Sequence, residues 1–263
     1  MDPQFSALFG QIQTKTVHRV LSPIANRVSQ LVLFHEAHEV SIIQGDDHES
    51  NGAKSTDAGH RMVSADLPGF TRDINAALRG LTSAAMEGRD AHDNDEGDVV
   101  ERKAEDDDAM ATACCDLLAA GESLASAATT VSLSAELQPG NRGVSTQSHA
   151  RVERARLVDA AKHVLRQTLN VLLIADRQEV QRLLRVFGRA TEAFSQLVDS
   201  RSLKELVPRF KSFTDLLLEV SDAVEMRGRE LTSAKRSEAL AASLVTLQKT
   251  PHTLCGAMQT FIK

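Results

Sequence analysis

Residues 180–198 read VQRLLRVFGRATEAFSQLV, and their apolar side chains recur at intervals of three and four. This spacing places them on one face of an α-helix, whereas a half-buried β-strand would alternate apolar and polar residues. The face comprises Val180, Leu183, Leu184, Phe187, Thr191, Phe194 and Val198. Because no glycine or proline interrupts residues 150–187, the helix is predicted to run from about Ala150 to Asp199. Its length of roughly 75 Å exceeds one small bundle, so two packing units are expected to share it.

Five further segments show the same helical period. Two narrow seams follow the long helix, and they comprise Leu203, Leu206, Phe210, Phe213, Leu217, Val220 and Val224, then Leu240, Leu244, Leu247, Pro251, Leu254, Met258 and Phe261. Three shorter stripes precede it, and they comprise Val17, Val20, Leu21, Ile24, Val28, Leu31 and Val32, then Leu67, Ile74, Leu78 and Leu81, then Met110, Leu117, Leu118 and Leu124. Narrow seams are typical of antiparallel helices in a bundle. The sequence therefore predicts an all-α protein of six helices.

Polar stretches and prolines set the expected boundaries. Residues 41–66, 88–108 and 137–149 are rich in Gly, Ser, Asp or Asn and lack the helical period, so they are predicted to be polar loops. Pro68 is expected near the start of the second helix, where proline is tolerated. Pro208 and Pro251 are expected to kink or locally open their helices, because proline lacks an N–H and clashes with the preceding turn.

Composition excludes several classes of protein. The formal charge of -6 argues against a dedicated nucleic-acid binder, which needs basic surface. Three cysteines form no disulfide framework and favour a reducing compartment, so a cytoplasmic location is predicted. No stretch approaches the roughly 20 apolar residues that span a bilayer, so direct membrane insertion is not expected. Nine Phe with no Trp and no Tyr give a core of Leu, Val and Ala, which suits packed helices.

Candidate chemical sites are weak, so no catalytic residue, metal site or cofactor is predicted. His35 and His38 are three residues apart, whereas the zinc-protease motif needs a spacing of four. Cys114 and Cys115 point to different helix faces, which indicates one small core residue and its neighbour. The acidic run at 90–108 has no EF-hand spacing and is interpreted as a solvated loop. No phosphate-binding glycine loop occurs, and the chain is not expected to be an enzyme.

Three stretches resemble the vinculin and α-catenin family. Residues 14–40, TKTVHRVLSPIANRVSQLVLFHEAHEV, closely follow the opening helix of that family and are nearer its vinculin members than α-catenin or catulin. Residues 170–187, NVLLIADRQEVQRLLRVF, resemble the middle of the family's long helix. Residues 227–231, RGREL, resemble a family Arg-x-x-Glu-Leu, and a helix with TLQK and a proline follows. The proline is one position early, and residues 111–124, ATACCDLLAAGESL, match the third helix only loosely.

The resemblance implies two up-down, antiparallel helix bundles that share one long central helix. Residues 1–13 would form a flexible N-terminus, 14–175 the first four-helix bundle, and 176–263 a second bundle of three helices. The chain ends inside what would be the third helix of that bundle, so the second bundle is expected to lack its last helix. A fragment of a longer protein or a helix from another chain would explain this.

The resemblance also implies a cytoskeletal cell-adhesion adaptor, cytoplasmic and located at adhesion sites, with F-actin binding only through regions absent from this chain. An amphipathic helix of a talin-like protein would insert into the first bundle, in a partner-helix groove lined by Val20, Ile24, Leu31, Ala77 and Leu81. Small residues on the second helix are expected to leave it weakly packed. The same residues also fit ordinary bundle core, and periodicity by itself favours that interpretation.

Two alternatives remain open at the level of the sequence. An α-catenin-like or catulin-like scaffold would use the same first helices to bind a β-catenin-type helix or to homodimerise, and LLIADR and TLQK favour it. A bundle that acts only as a spacer would have a rigid first bundle, with slow amide exchange in its first two helices.

Overall fold

The computed structural model describes residues 14–43, 56–90, 100–136 and 144–262, and it describes side chains at 14–29, 67–87, 107–134, 148–149 and 151–258. These residues form six helices: α1 (Lys15–Ile43), α2 (Thr56–Asp90), α3 (Val100–Glu136), α4 (Val144–Val198), α5 (Leu203–Glu230) and α6 (Ala234–Ile262). Across the described ranges no β-strand forms, and one isolated antiparallel bridge joins Thr14 to Leu231. The predicted all-α class is confirmed.

The long fourth helix is present and contains 55 residues. It begins at Val144, before the predicted Ala150, and ends at Val198. Its length on one continuous axis is roughly 80 Å, which is longer than one small bundle needs. The chain accordingly divides into two compact units. The first unit is Arg19–Ala175, and the second unit contains residues 14–18 together with Asp176–Lys263, so α4 contributes to both.

Several predicted loop boundaries are wrong, because polar sequence can be helical. Residues 56–66 belong to α2, 100–108 to α3 and 144–149 to α4, while the remainder of the predicted loops lies mostly outside the described residues. Residues 100–108, VERKAEDDD, lack an apolar stripe but contain strong helix formers. The segment is also acidic, and negative charge is favourable near the start of a helix.

Prolines lie inside the helices. Pro68 was expected near the start of its helix, but α2 begins at Thr56, so this proline is well inside the helix. Pro208 lies in the second turn of α5, and Pro251 lies in the middle of α6. Each of these helices is assigned as continuous through its proline, and the kinks stay a prediction.

The core of the first unit is built from small and medium apolar side chains. Ile74 and Leu78 of α2, Leu117 and Leu124 of α3, and Val164 of α4 are almost completely buried. On α4 the buried face of this unit is broad, and it comprises Glu153, Leu157, Ala160, Ala161, Val164, Leu165, Thr168, Leu169, Val171 and Leu172. A broad apolar face is typical of a helix that packs against neighbours on more than one side.

The core of the second unit is narrower and uses a different face of α4 from the one that the sequence emphasises. Its buried residues are Val186, Ala190, Ala193 and Leu197 on α4 and Leu206, Phe213, Leu217 and Val220 on α5, against which Leu247, Leu254 and Met258 of α6 pack. Phe194 touches Phe213, with ring centroids 5.4 Å apart. Most of the predicted face of α4 is exposed instead, because Val180, Leu184, Phe187 and Val198 lie beside the buried row.

A close approach between α2 and α3 is set by Gly121. A Cβ atom built on Gly121 would lie 2.3 Å from Oδ1 of Asn75 and 3.0 Å from Cδ1 of Leu78. Such distances are shorter than van der Waals contact, so the two helices approach at a point where one of them has no side chain. Gly80, on α2, differs because nothing lies within 4 Å of its Cβ position.

The two glycines generate a matched stability prediction. Gly80→Ala should stabilise the protein by about 0.5–1 kcal/mol, because alanine has the higher helix propensity and meets no neighbour here. Gly121→Ala should lose that gain and be less stable than Gly80→Ala by about 1–3 kcal/mol, because Asn75 and Leu78 must move. Urea unfolding followed by circular dichroism measures both. Equal stability of the two variants would contradict the close approach.

Candidate partner-binding site

The first helix contributes an apolar face to the first unit. Leu21, Ile24 and Val28 are buried at intervals of three and four, and Val20 is half-buried beside them. Of the predicted groove residues on this helix, Ile24 is therefore core, Val20 lies at its margin, and the side chain of Leu31 lies outside the described residues.

The second helix buries a face centred on Ile74 and Leu78. Thr71 and Thr82 extend this buried row by one turn in each direction. Leu81, another predicted groove residue, is half-buried, but Ala77 is exposed. Ala77 is therefore outside the buried core of the free protein, and its place in a partner-helix groove stays a prediction. Adjacent helical residues are about 100° apart, so Leu78 occupies the buried direction and Ala77 lies to one side.

The small residues of α2 face away from the core. Ala76, Gly80 and Ala84 are exposed, like Ala77. They were expected to weaken the packing of α2 from within the bundle. Their position shows instead that α2 packs through larger residues, Ile74 and Leu78, so its small face contributes little to holding it in place.

Three buried threonine hydroxyls in this unit donate within their own helices, whereas the buried hydroxyl of Ser132 on α3 has no hydrogen-bond partner among the described residues. Thr71 donates to the carbonyl of Pro68 at 3.1 Å, and Thr82 donates to the carbonyl of Arg79 at 3.0 Å. On α4, the fully buried Thr168 donates to the carbonyl of its own preceding turn, at 2.8 Å. A helix whose buried polar groups bond to itself leaves no orphaned donor when it separates from its neighbour. Apolar contact is consequently the main attraction on this face of α2.

One polar contact crosses between α1 and α2 at the protein surface. The guanidinium carbon of Arg27 lies 5.9 Å from the ring centroid of Phe70, above the ring. Arg27 is exposed and Phe70 is half-buried. A cation–π contact at such an exposed site is worth about 0.5–1 kcal/mol, so it adds modestly to the α1–α2 seam.

The start of α1 is fixed in a different way, by hydrogen bonds within the second unit. The side chain of Lys15 donates to the carbonyl of Arg229 at 2.7 Å. A carboxylate oxygen of Glu230 accepts from the backbone N–H of Thr16 at 3.1 Å, and from its hydroxyl. A carboxylate at this position both caps the free N–H groups of a helix start and complements its dipole.

A bidentate ion pair lies in the same unit. The two guanidinium nitrogens of Arg227 donate to the two carboxylate oxygens of Asp176, at 2.6 and 3.2 Å. Their side chains are only 19% and 23% exposed, so water screens this pair less than a surface pair. Fork geometry and partial burial make this one of the stronger kinds of ion pair. We use the term junction for Thr14–Thr16, Asp176, Arg227 and Arg229–Leu231.

The cysteines show no sign of a reactive site. Cys114 is buried in α3, whereas Cys115 and Cys255 are exposed. Burial raises the pKa of the Cys114 thiol, and the neighbouring Cys115 raises it further. A raised pKa lowers the thiolate fraction, and the thiolate is the nucleophile. The prediction that one of the adjacent cysteines is core and the other its neighbour is confirmed.

Other kinds of site are absent within the described ranges. No group of three or more His, Cys, Asp or Glu side chains there is arranged to hold a metal ion. The side chains of His35 and His38, which were considered as metal ligands, lie outside those ranges. Among the described helices, none is both long enough and apolar enough to cross a membrane.

Comparison with known proteins decides the family. A model of the vinculin family matches residues 116–263, which is more than half of the chain. The chain belongs to the vinculin family. This confirms the resemblance on which the sequence interpretation depends, and it identifies the chain as a member of a family of structural adaptors rather than of a known enzyme family.

Individual relatives agree with the family match. Vinculin of Gallus gallus is 20% identical over 249 residues, which cover 95% of this chain and 18% of that protein. Vinculin of Oscarella pearsei is 24% identical over 241 residues, covering 91% of this chain and 23% of that protein. Catenin alpha-2 of Xenopus laevis is 28% identical over 112 residues, covering 43% of this chain and 12% of that protein. The chain thus spans about a fifth of the length of its vinculin relatives.

The fold agrees as well. The solved structure of a vinculin homolog from a sponge superposes with a TM-score of 0.64 at 21% identity, covering 90% of this chain and 24% of that chain.

In this vinculin-family chain, the three stretches that resemble the family meet at the junction: Thr14–Thr16 come from the first, Asp176 from the second, and Arg227 and Arg229–Leu231 from the third. The sequence marked these stretches, but it contained no signal that they make contact.

The junction generates a second stability prediction. Arg227→Ala should destabilise the protein by about 1–3 kcal/mol, because it leaves the partly buried Asp176 without its partner. Arg229→Ala is the matched control. Its side chain is 73% exposed and pairs with Glu225 on the same helix, so the change should cost less than about 0.5 kcal/mol. Chemical denaturation compares the two, and an equal loss would contradict the special role of Arg227.

Cysteine alkylation tests the placement of α3. In the folded protein, Cys115 and Cys255 should react with a maleimide quickly, and Cys114 should react only in denaturant, because its thiol is buried and its pKa is raised. Mass spectrometry of peptides after a timed reaction identifies each site. Fast reaction of Cys114 in a folded Cys115→Ser variant would show that this part of the first unit is open.

Proposed function

We propose that the protein is a cell-adhesion adaptor that binds an amphipathic helix of a talin-like partner by inserting it between α1 and α2. The observation that carries this proposal is the nature of the α1–α2 contact. Both helices bury apolar residues at helical spacing, Arg27 of α1 lies over Phe70 of α2, and the buried threonine hydroxyls of α2 bond within α2. An incoming helix with apolar residues at helical spacing can contact such faces without leaving those hydroxyls unpaired.

The energetics favour exchange of one helix for another. The half-buried Val20 and Leu81 mark the margin of the apolar face, where an entering helix would make its first contacts. Ile24 would then change neighbours while staying buried. The cost includes the exposed Arg27–Phe70 contact, and burial lost by apolar residues is restored by the apolar face of the incoming helix.

The wider role follows from family membership. Adhesion is the context that the sponge homolog suggests, since its structure is described as revealing vertebrate-like cell adhesions. We place the protein in the cytoplasm at adhesion sites, as a scaffold without catalytic activity or cofactor. Binding of F-actin is assigned to regions outside residues 1–263. Nucleic acid is not proposed as a partner, because the net charge is -6.

A second candidate is an α-catenin-like scaffold that holds a β-catenin-type helix or homodimerises through α1 and α2. The match to Catenin alpha-2 favours it, at 28% identity over 112 residues. Vinculin matches extend over 95% of the chain, which is why the talin-like partner is preferred. Titration with both kinds of helix, together with sedimentation, distinguishes the two candidates: the first predicts binding of the talin-type helix, and the second predicts binding of the β-catenin-type helix or a stable dimer.

The binding proposal predicts a specific loss. The folded protein should bind a talin-type amphipathic helix in a fluorescence-anisotropy titration. Val20→Glu should weaken this binding by at least about 10-fold, because the complex would bury an unpaired carboxylate. In the free protein the change should be tolerated, since Val20 is half-buried and the carboxylate can reach water.

Val152→Glu serves as the matched control for this test. Val152 is an exposed valine on α4, in the same unit, and its substitution should leave the affinity within about 2-fold of the unmodified chain. The proposal is wrong if the folded protein fails to bind the talin-type helix, or if both variants bind equally well.

A further inference from the structure

A proline interrupts the backbone hydrogen bonding of α1 soon after its first turn. Pro23 lies inside this helix, which begins at Lys15 and is assigned as continuous to Ile43. Because proline has no N–H, the carbonyl of Arg19, one turn earlier, lacks its usual helical donor, and the proline ring crowds that carbonyl. Sharp bends in helices occur mostly at such places. The turn from Arg19 to Pro23 is therefore the weak point of α1.

The chain passes from one unit to the other at the same place. Residues up to His18 belong to the second unit, and residues from Arg19 onward belong to the first unit. The first turn is held at the junction by the hydrogen bonds of Lys15 and Thr16. Beyond Pro23, the body of α1 belongs to the first unit. The weak turn thus separates a held first turn from the rest of the helix.

Packing does not explain why a proline occupies this position. Pro23 is exposed, whereas its neighbours Leu21 and Ile24 are buried. Alanine at this position would keep the same core contacts and would restore the missing hydrogen bond. Proline is the least favourable residue inside a helix. Its effect on the backbone of α1 is therefore its main contribution to the structure.

The neighbour of α1 at the proposed binding site is held closely to α3. Ile74 and Leu78 of α2 are almost completely buried. Gly121 of α3 approaches so near to Asn75 and Leu78 that an added Cβ atom would overlap them. Moving α2 off α3 would lose this close packing. Separation of α1 from α2 consequently costs less when α1 is the helix that moves.

We propose that α1 is hinged between Arg19 and Pro23, and that a partner helix enters when the body of α1 turns about this hinge away from α2. The motion, which rests on the proposed function, leaves the first turn at the junction and α2 on α3. Bending at this turn breaks one hydrogen bond fewer than bending elsewhere in α1, because Pro23 donates none. The hinge therefore sets the open fraction of molecules, and through it the apparent affinity for the partner helix.

Alanine substitution in the full chain tests the hinge. Pro23→Ala should weaken binding of a talin-type amphipathic helix at least about 10-fold in an anisotropy titration, because the restored hydrogen bond favours the straight, closed helix. Pro208→Ala is the matched control, since Pro208 is also an exposed proline inside a helix but lies in α5. It should bind within about 2-fold of the unmodified chain. Equal affinity of Pro23→Ala and the unmodified chain would overturn the proposal.

Amide exchange measured by NMR tests the hinge without a partner. Amides of residues 24–28 in α1 should exchange at least about 10-fold faster than those of residues 74–78 in α2, and Pro23→Ala should reduce this difference while Pro208→Ala leaves it unchanged. This pattern in a chain that binds no talin-type helix would support the hinge and contradict the proposed function. Faster exchange in α2 than in α1 would overturn the hinge, even in a chain that binds the helix.

A disulfide at the junction tests whether the first turn stays in place. Thr14 and Leu231 are partners in an antiparallel bridge, and the Cα atoms of such partners are roughly 4.5–5.5 Å apart, which a disulfide can span. In a Cys115→Ser, Cys255→Ser background, the oxidised Thr14→Cys, Leu231→Cys chain should bind the talin-type helix within about 2-fold of its reduced form, because the link fits both the free and the bound state. Binding that is lost on oxidation and regained on reduction would show that the first turn must leave, and would overturn the proposal.

Discussion

One continuous helix, α4, contributes buried residues to the cores of both units. The face that it buries in each core determines which of its apolar residues stay exposed. Within the first unit, α4 buries a broad face that includes Leu165 and Leu169 as well as Ala161. Within the second unit it buries a single narrow row, from Val186 to Leu197. Apolar residues beside that narrow row, such as Leu184 and Phe187, remain exposed because the second half of α4 has fewer neighbours among the described residues.

Hydrogen bonds hold the first turn of α1, whereas the later turns are buried through apolar side chains. At the junction, Glu230 and Lys15 hold the first turn through hydrogen bonds that include charged groups. Further along, α1 buries apolar side chains in the first unit and makes a weak cation–π contact with α2. Hydrogen bonds to charged groups are worth more than neutral ones, and their loss leaves a charged partner unpaired. The proposed insertion of a partner helix would therefore leave the first turn of α1 in place.

Periodicity predicted the helices well but did not predict which face of each helix is buried. The rows that contain Ile74 and Leu78, or Phe213 and Leu217, were recognised from spacing and are core. The strongest row, with Leu184 and Phe187, has equally good spacing and is exposed. Spacing reports that side chains share a face, whereas burial depends on which neighbours are present, and a single sequence does not contain that information. The exposure of Ala77 was not predictable for a related reason, since a small residue fits either side of a helix. The helical start of α3 was missed because charged residues carry helix propensity without a stripe.

The proposed insertion between α1 and α2 has a kinetic consequence. Under this proposal a partner helix enters only after the two helices separate, so only the open fraction of molecules is competent and the observed association is slowed by that fraction. The rate of insertion would then depend on the contacts that hold α1 beside α2, of which the exposed Arg27–Phe70 contact is one.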